Sequence, residues 1–220
     1  MEKKLFNFPI DERWNYENGF YITSEPARIG KAIAQYELYR SIASLPGHIF
    51  EFGIFKGASF IRLAAYREIL ESQASRKLIG FDMFGKFPDP QGEADQEFVD
   101  NFVSAAGDGI SQPELEEILA YKNVSNYELV PGNILQTLPP YVSQHPELKI
   151  ALLHIDVDVY DASLCILENL FDHVVPGGIV MLDDYGSAEG ETRAVDEFLA
   201  STHYRVEKLN YSFTPTFIRK

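Results

Sequence analysis

The sequence predicts an α/β fold, a mostly parallel sheet with helices on both faces, in a single domain. Three observations lead there. From residue 48 onward, short apolar runs alternate with stretches of helical periodicity, the pattern of strand–helix–strand units. One run, Lys149 to Asp156, is apolar almost throughout between its ends, as a strand covered on both faces must be. Acids stand at the ends of four of the runs and are nearly absent within them; open parallel sheets bind ligands at the carboxyl ends of their strands.

Along the chain, residues 1–23 carry Phe6, Phe8, Trp14, Tyr16, Phe20 and Tyr21 without a clear period. They read as an irregular arm ahead of one domain spanning 24–220. Ser24-Glu25-Pro26 reads as a helix start, with Ser24 as N-cap and the proline in the first turn. Ile29, Ala32, Ile33, Tyr36, Tyr39 and Ala43 then form an apolar face at helical spacing, and Pro46-Gly47 ends that helix. Strands are predicted at 48–53, 77–82, 127–131, 149–156 and 178–183, with two short late strands at 204–208 and 216–219. Helices are predicted at 58–71, 93–106, 113–121, 161–173 and 190–200.

A chain of 220 residues with 45% hydrophobic and 24% charged residues has ordinary globular composition and can bury a sizeable core. Its net charge of −14 repels phosphate backbones and anionic lipid, which argues against nucleic acid and membrane as partners. A small anionic substrate remains compatible if one basic pocket receives it. The single cysteine, Cys165, lies in an apolar run and reads as a small buried hydrophobe. No long apolar run follows Lys3 and Lys4, so no signal peptide is expected, and no stretch approaches the roughly 20 apolar residues that span a bilayer. The cytoplasm is the expected location. Composition leaves open whether the chain forms a homo-oligomer.

The loop after the first predicted strand is Glu51-Phe52-Gly53-Ile54-Phe55-Lys56-Gly57-Ala58-Ser59. Gly53 and Gly57 let the backbone turn tightly and approach a ligand. The helix that follows aims its free N–H groups at whatever the loop holds. The glycines are four residues apart and the loop opens on an acid, unlike a dinucleotide fingerprint. Glu51 suits an ammonium group; Ser59 and the helix N-terminus suit a carboxylate. S-adenosylmethionine carries both on its methionine end. Asp82, at the end of the second strand, stands where an acid can take both ribose hydroxyls. Met83 or Phe84 beside it can pack on the adenine. Lys56 reads as a solvated loop cation.

Asp156 and Asp158 are two apart and would share a face if the strand continued. Asp183 and Asp184 close the next strand and converge only if the chain turns there, as Tyr185-Gly186 allows. No lysine or arginine lies within these motifs. A hard divalent cation (Mg²⁺, Mn²⁺ or Ca²⁺) would relieve the repulsion among so many carboxylates. His154, inside the apolar strand, reads as a core histidine supporting the acids.

At these residues the chain resembles the macrocin O-methyltransferase (TylF-like) family of class I enzymes dependent on S-adenosylmethionine. The matching segments are EFGIFKGAS (51–59), GFDMFGKFP (80–88), VPGNILQTLP (130–139), LLHIDVDVYDAS (152–163) and VPGGIVMLDDYG (175–186), followed by GETRAVDEF. The resemblance covers roughly residues 25 to 205 and implies a Rossmann-like, seven-stranded sheet whose last strand is antiparallel. It implies methylation of a sugar hydroxyl, on a glycoside or a nucleotide sugar such as a dTDP-deoxyhexose, with Mg²⁺ holding the substrate. It implies Asp156, Asp183 and Asp184 as metal ligands, Asp158 as general base, and Glu51, Gly53, Ser59 and Asp82 at the cofactor, to which the loop reading adds Gly57 and Met83, with Asn133 near the adenine. One departure is His154, which stands where antibiotic-pathway members often have arginine; this places the chain in a sister branch. Two alternatives use the same acids differently. Asp156-Val157-Asp158 is the D-x-D of a metal-dependent glycosyltransferase, which leaves Glu51, Asp82 and the second acidic pair without a task. A receiver-like signalling module has an acidic pocket too, but its paired acids follow the first strand.

Overall fold

The computed structural model describes residues 3–88 and 93–220. Residues 1 and 2, the start of the predicted arm, lie outside the described residues. The sheet has seven strands: β1 (His48–Phe52), β2 (Leu78–Asp82), β3 (Tyr127–Pro131), β4 (Ile150–Ile155), β5 (Val174–Leu182), β6 (Glu207–Lys208) and β7 (Thr216–Arg219). Their order in space is β3-β2-β1-β4-β5-β7-β6. β1 to β5 are mutually parallel, and β7 runs antiparallel to both β5 and β6. The predicted α/β architecture and its antiparallel last strand are both present.

The helices are α1 (Arg13–Thr23), α2 (Pro26–Ile42), α3 (Ala58–Leu70), α4 (Glu93–Ala106), α5 (Gln112–Tyr121), α6 (Ile134–Gln144), α7 (Tyr160–Leu170) and α8 (Glu189–Leu199). Alternation along the strands builds two cores. Ile49, Leu78, Leu152 and Met181 point to one face and meet Leu38 and Tyr39 of α2, Leu63 of α3 and Leu115 of α5. Phe50, Phe81, Leu153 and Val180 point to the other and meet Leu138 of α6, Ile166 of α7 and Val195 of α8. All six residues of β4 are buried, as a central strand with helices on both faces requires. No helix among the described residues is long and apolar enough to cross a membrane.

Four local expectations need correction. The arm is ordered: a two-residue hairpin (Lys4–Leu5 with Phe8–Pro9), a 3-10 turn (Ile10–Glu12) and then α1. No residue of α1 is buried, so the helix has no apolar stripe to leave a period in the sequence. Ser24 is not an N-cap. Its N–H closes α1 on the Phe20 carbonyl at 2.9 Å, and Glu25 precedes α2 in an extended conformation. Pro26 forces that conformation on its predecessor, moving the boundary one residue on. The buried face of α2 is Ala34, Gln35, Leu38, Tyr39 and Ile42, while Ile33 is exposed. A polar residue at the centre of the buried face, Gln35, which accepts from Arg62, masked the true stripe. Finally, α6 was not expected, because it contains Pro139 and Pro140, which remove two backbone donors from the helix.

β1 and β4 are neighbours, and chain order runs outward from them to β3 on one side and to β5 on the other, with β7 then inserted ahead of β6. Their carboxyl ends form the topological switch point, where a crevice is expected.

Candidate active site

Gly53 ends β1 with φ +84°, and a Cβ built there would lie 1.7 Å from the carbonyl oxygen of Asp156. Only glycine lets the tips of β1 and β4 touch. The chain then turns through Phe55 (φ +51°) to Gly57 (φ +84°), which precedes α3. Asp82 ties this loop down. Its Oδ2 accepts the N–H groups of Ile54 at 2.7 Å and Phe55 at 3.1 Å, and its Oδ1 accepts that of Phe84 at 2.6 Å. Burial raises its pKa against the pull of those three donors.

A cleft of about 630 Å³ opens over these tips. Of the residues expected at the cofactor, Gly53, Ser59, Asp82, Met83 and Asn133 line it; Glu51 and Gly57 do not. The Asn133 side chain is also the N-cap of α6, accepting the Leu135 N–H at 2.9 Å. Lys56 lines the cleft, but its ammonium donates to the Ala106 carbonyl at 2.6 Å and lies 4.9 Å from the Phe55 ring centroid.

Glu51 lies fully buried, and neither of its oxygens has a hydrogen-bond partner. Nδ1 of His154 stands 3.5 Å from it, while Nε2 of the same ring stands 3.3 Å from Asp183. His154 is therefore a buried bridge between two acids. Burial alone would lower its pKa, but the two carboxylates outweigh that and push it up to about 10. An imidazolium has no lone pair to give a metal.

All four predicted aspartates line the same cleft, though not by the expected route. β4 ends at Ile155, and Asp158 adopts a left-handed conformation with φ +62°, so Asp156 and Asp158 do not converge by sharing a strand face. Beyond β5 the chain does turn: the N–H groups of Ser187 and Ala188 both donate to the Asp184 carbonyl, at 2.8 and 2.9 Å. Burial and the charge of Asp183 raise the Asp184 carboxyl. Burial and the neighbouring charge of Asp184 push the Asp158 carboxyl up to about 8. Asp156 is raised well above the usual range by burial and by Asp183. Asp183 goes the other way; burial opposes it, but His154 and Lys31 hold it down at about 2. Among the described residues, His154, Asp156 and Asp183 offer ligand atoms within 4.8 Å of one another. With His154 protonated, the remaining donors are carboxylate oxygens, a set that fits a hard divalent cation.

Two residues here were not anticipated. Lys31 of α2 pairs its ammonium with Oδ2 of Asp183, a cation supplied from far outside the acidic motifs. Its signal is a lysine inside the apolar stretch Ile29 to Ile33. Glu191 of α8 is fully buried beside the aspartates, and burial together with the Asp184 charge raises its pKa well above the usual range.

Residues 36–220 match the family model described as macrocin-O-methyltransferase (TylF). The chain is 30% identical over 149 residues to 8-demethyl-8-(2,3-dimethoxy-alpha-L-rhamnosyl)-tetracenomycin-C 4'-O-methyltransferase of Streptomyces olivaceus, covering 64% of this chain and 54% of that one. It is 29% identical over 166 residues to demethyldecarbamoylnovobiocin O-methyltransferase of Streptomyces niveus, covering 71% and 60%. The chain thus spans little more than half the length of these curated relatives. Its fold superimposes on the crystal structure of CalS11, a calicheamicin methyltransferase, with a TM-score of 0.76 and 26% identity, covering 98% of this chain and 88% of that one. With 185 of its 220 residues inside the family model and the same fold in a solved methyltransferase, the chain belongs to the macrocin-O-methyltransferase (TylF) family.

Proposed function

We propose that this chain is an S-adenosylmethionine-dependent O-methyltransferase acting on a sugar hydroxyl, with a divalent cation held by Asp156, Asp183 and Asp184. The observation that carries the reading is one shared cleft. The glycine loop of β1 and the four aspartates after β4 and β5 line the same 630 Å³ space. A glycosyltransferase using Asp156-Val157-Asp158 alone would leave the glycine loop and Asp82 without a role.

S-adenosylmethionine supplies a methyl group already activated on a sulfonium, so the protein's task is alignment and proton removal. Ser59 and the first turn of α3 face the cleft and suit the cofactor's carboxylate. Oδ1 of Asp82 accepts one N–H and keeps capacity for a ribose hydroxyl. A hard cation at the aspartates would supply Lewis acidity to a weakly nucleophilic sugar hydroxyl. Asp158 accepts the hydroxyl proton; it does so only when ionised, and a cation held by the neighbouring aspartates would favour that form. Asp183, held ionised by His154 and Lys31, keeps a fixed negative charge where the cation belongs.

The cleft also carries Arg28, Lys31, Lys56, Arg62 and Lys86, in a chain of net charge −14. They stand beside Asp82, Asp156, Asp158, Asp183 and Asp184 in the same cleft and are the groups that would meet the phosphates of a nucleotide-linked sugar.

Titration calorimetry with S-adenosylmethionine, run with chelator present, tests the cofactor reading; binding is expected without added metal. Mass-spectrometric turnover on a panel of nucleotide sugars and glycosides tests the rest. Exhaustive chelation is expected to abolish methylation and Mg²⁺ to restore it. Full turnover in chelator would defeat the metal assignment, and no cofactor binding would defeat the methyltransferase assignment.

A further inference from the structure

Asp156 and Asp183 continue the strand ladder, donating their N–H groups to the Phe52 and Ile155 carbonyls, but Asp158 and Asp184 stand on turns beyond it. Asp158 has φ +62°, a left-handed conformation that a non-glycine residue keeps only when its surroundings enforce it. Asp184 lies past the end of β5. The first turn of α8 touches both. The backbone N–H of Glu191 donates to the Asp158 carbonyl at 3.0 Å, and Oε1 of the same residue accepts the Asp184 N–H at 3.0 Å. Next to it, Gly190 brings α8 down onto the Asp158 turn. A Cβ there would lie 2.8 Å from the Asp158 oxygen and 2.6 Å from the Tyr160 nitrogen. Glu191 is wholly buried, and Asp184, Asp183 and Asp158 close by repel its carboxylate. Against that repulsion stand its place in the first turn of α8 and the N–H it receives from Asp184. What its side chain contributes is a hydrogen-bond acceptor of the right reach.

We propose that Glu191 is a positioning residue that clamps the Asp158 turn to the Asp184 turn and so sets the spacing on which cation affinity depends. The proposal rests on the metal reading given above. It explains how acids that follow different strands are held close despite their mutual repulsion.

The test compares wild type, Glu191→Gln and Glu191→Ala by Mn²⁺ binding in calorimetry, S-adenosylmethionine binding in chelator, and hydrogen exchange at the Asp184 amide. Glu191→Gln keeps an acceptor oxygen and should bind Mn²⁺ within about twofold of wild type. Glu191→Ala loses the acceptor and should bind Mn²⁺ about tenfold more weakly, with an unchanged cofactor constant and a faster-exchanging Asp184 amide. A general loss of structure would weaken both ligands together. Wild-type Mn²⁺ affinity in Glu191→Ala would overturn the proposal. So would a Glu191→Gln protein as weak as Glu191→Ala, because the carboxylate charge would then be the active feature. If Glu191→Ala does not fold, the Asp184 amide decides: it should be protected in wild type and Glu191→Gln, and rapid exchange in both overturns the clamp. A wild type that takes up no Mn²⁺ defeats the metal reading, and the clamp is then judged on that amide alone.

Discussion

Asp158 combines two properties at one residue: a left-handed backbone and a carboxyl pushed up to about 8 by burial and by Asp184. If it takes the sugar proton, Asp158→Asn should lower turnover by roughly 10²–10⁴-fold, the usual range for general-base catalysis. The cofactor and Mn²⁺ constants should change far less. Steady-state kinetics beside calorimetry would check this, and near-normal turnover at saturating metal would move the base elsewhere. The identity of the acids was legible because each breaks off an apolar run. Their convergence was misread, because strand alternation was extended past Ile155 to a residue that sits on a turn. Lys31 shows itself as a lysine in an apolar stretch, but its partner does not: it meets Asp183 across 152 positions of chain, and a local window holds no trace of that contact.

At the scale of elements, the tip-to-tip contact of β1 and β4 depends on Gly53. Gly53→Ala would place a methyl 1.7 Å from the Asp156 oxygen and force a side chain into a left-handed conformation. The expected cost is about 3 kcal/mol or more, read as a lower denaturant midpoint, with cofactor binding lost at the same time. An alanine variant with the wild-type midpoint would show that the two tips separate freely. Elements with a clear period or clear breaks at their ends were readable: 93–106 and 127–131 were placed to the residue. Two others were not. α1 buries no residue, and α6 hides behind Pro139-Pro140 while pressing Leu138 into the core.

For the whole molecule, the acid cluster links stability to pH and to metal. The Asp158 carboxyl rises from an ordinary 3.8 to about 8 on folding, so the folded chain holds a proton that the unfolded chain has released. That contribution is full below the ordinary value and is lost as pH rises through about 8. Asp183, held at about 2, contributes above its ordinary value and loses that contribution only as pH falls through about 2. His154, raised from 6.5 to about 10, contributes fully below 6.5 and loses that contribution as pH rises through about 10. Between these limits Asp158 dominates, together with Asp156, Asp184 and Glu191, which are raised as well. The melting temperature of the metal-free protein should therefore fall as pH rises toward about 8. Added Mg²⁺ binds only ionised carboxylates, so its stabilising effect should grow over the same window. Thermal melts with Mg²⁺ or chelator would check both, and a melting temperature indifferent to pH and to Mg²⁺ would contradict the cluster's assignment. The sequence by itself determined the α/β class, the glycine loop and the acids at the strand ends, since periodicity, glycine spacing and the close of an apolar run are local patterns. Only the tertiary structure decided which charges meet: His154 between Glu51 and Asp183, Lys31 on Asp183, Glu191 across two turns. Those meetings depend on sheet order and helix docking, which arise from burial of the whole chain and leave no mark on any short stretch of it.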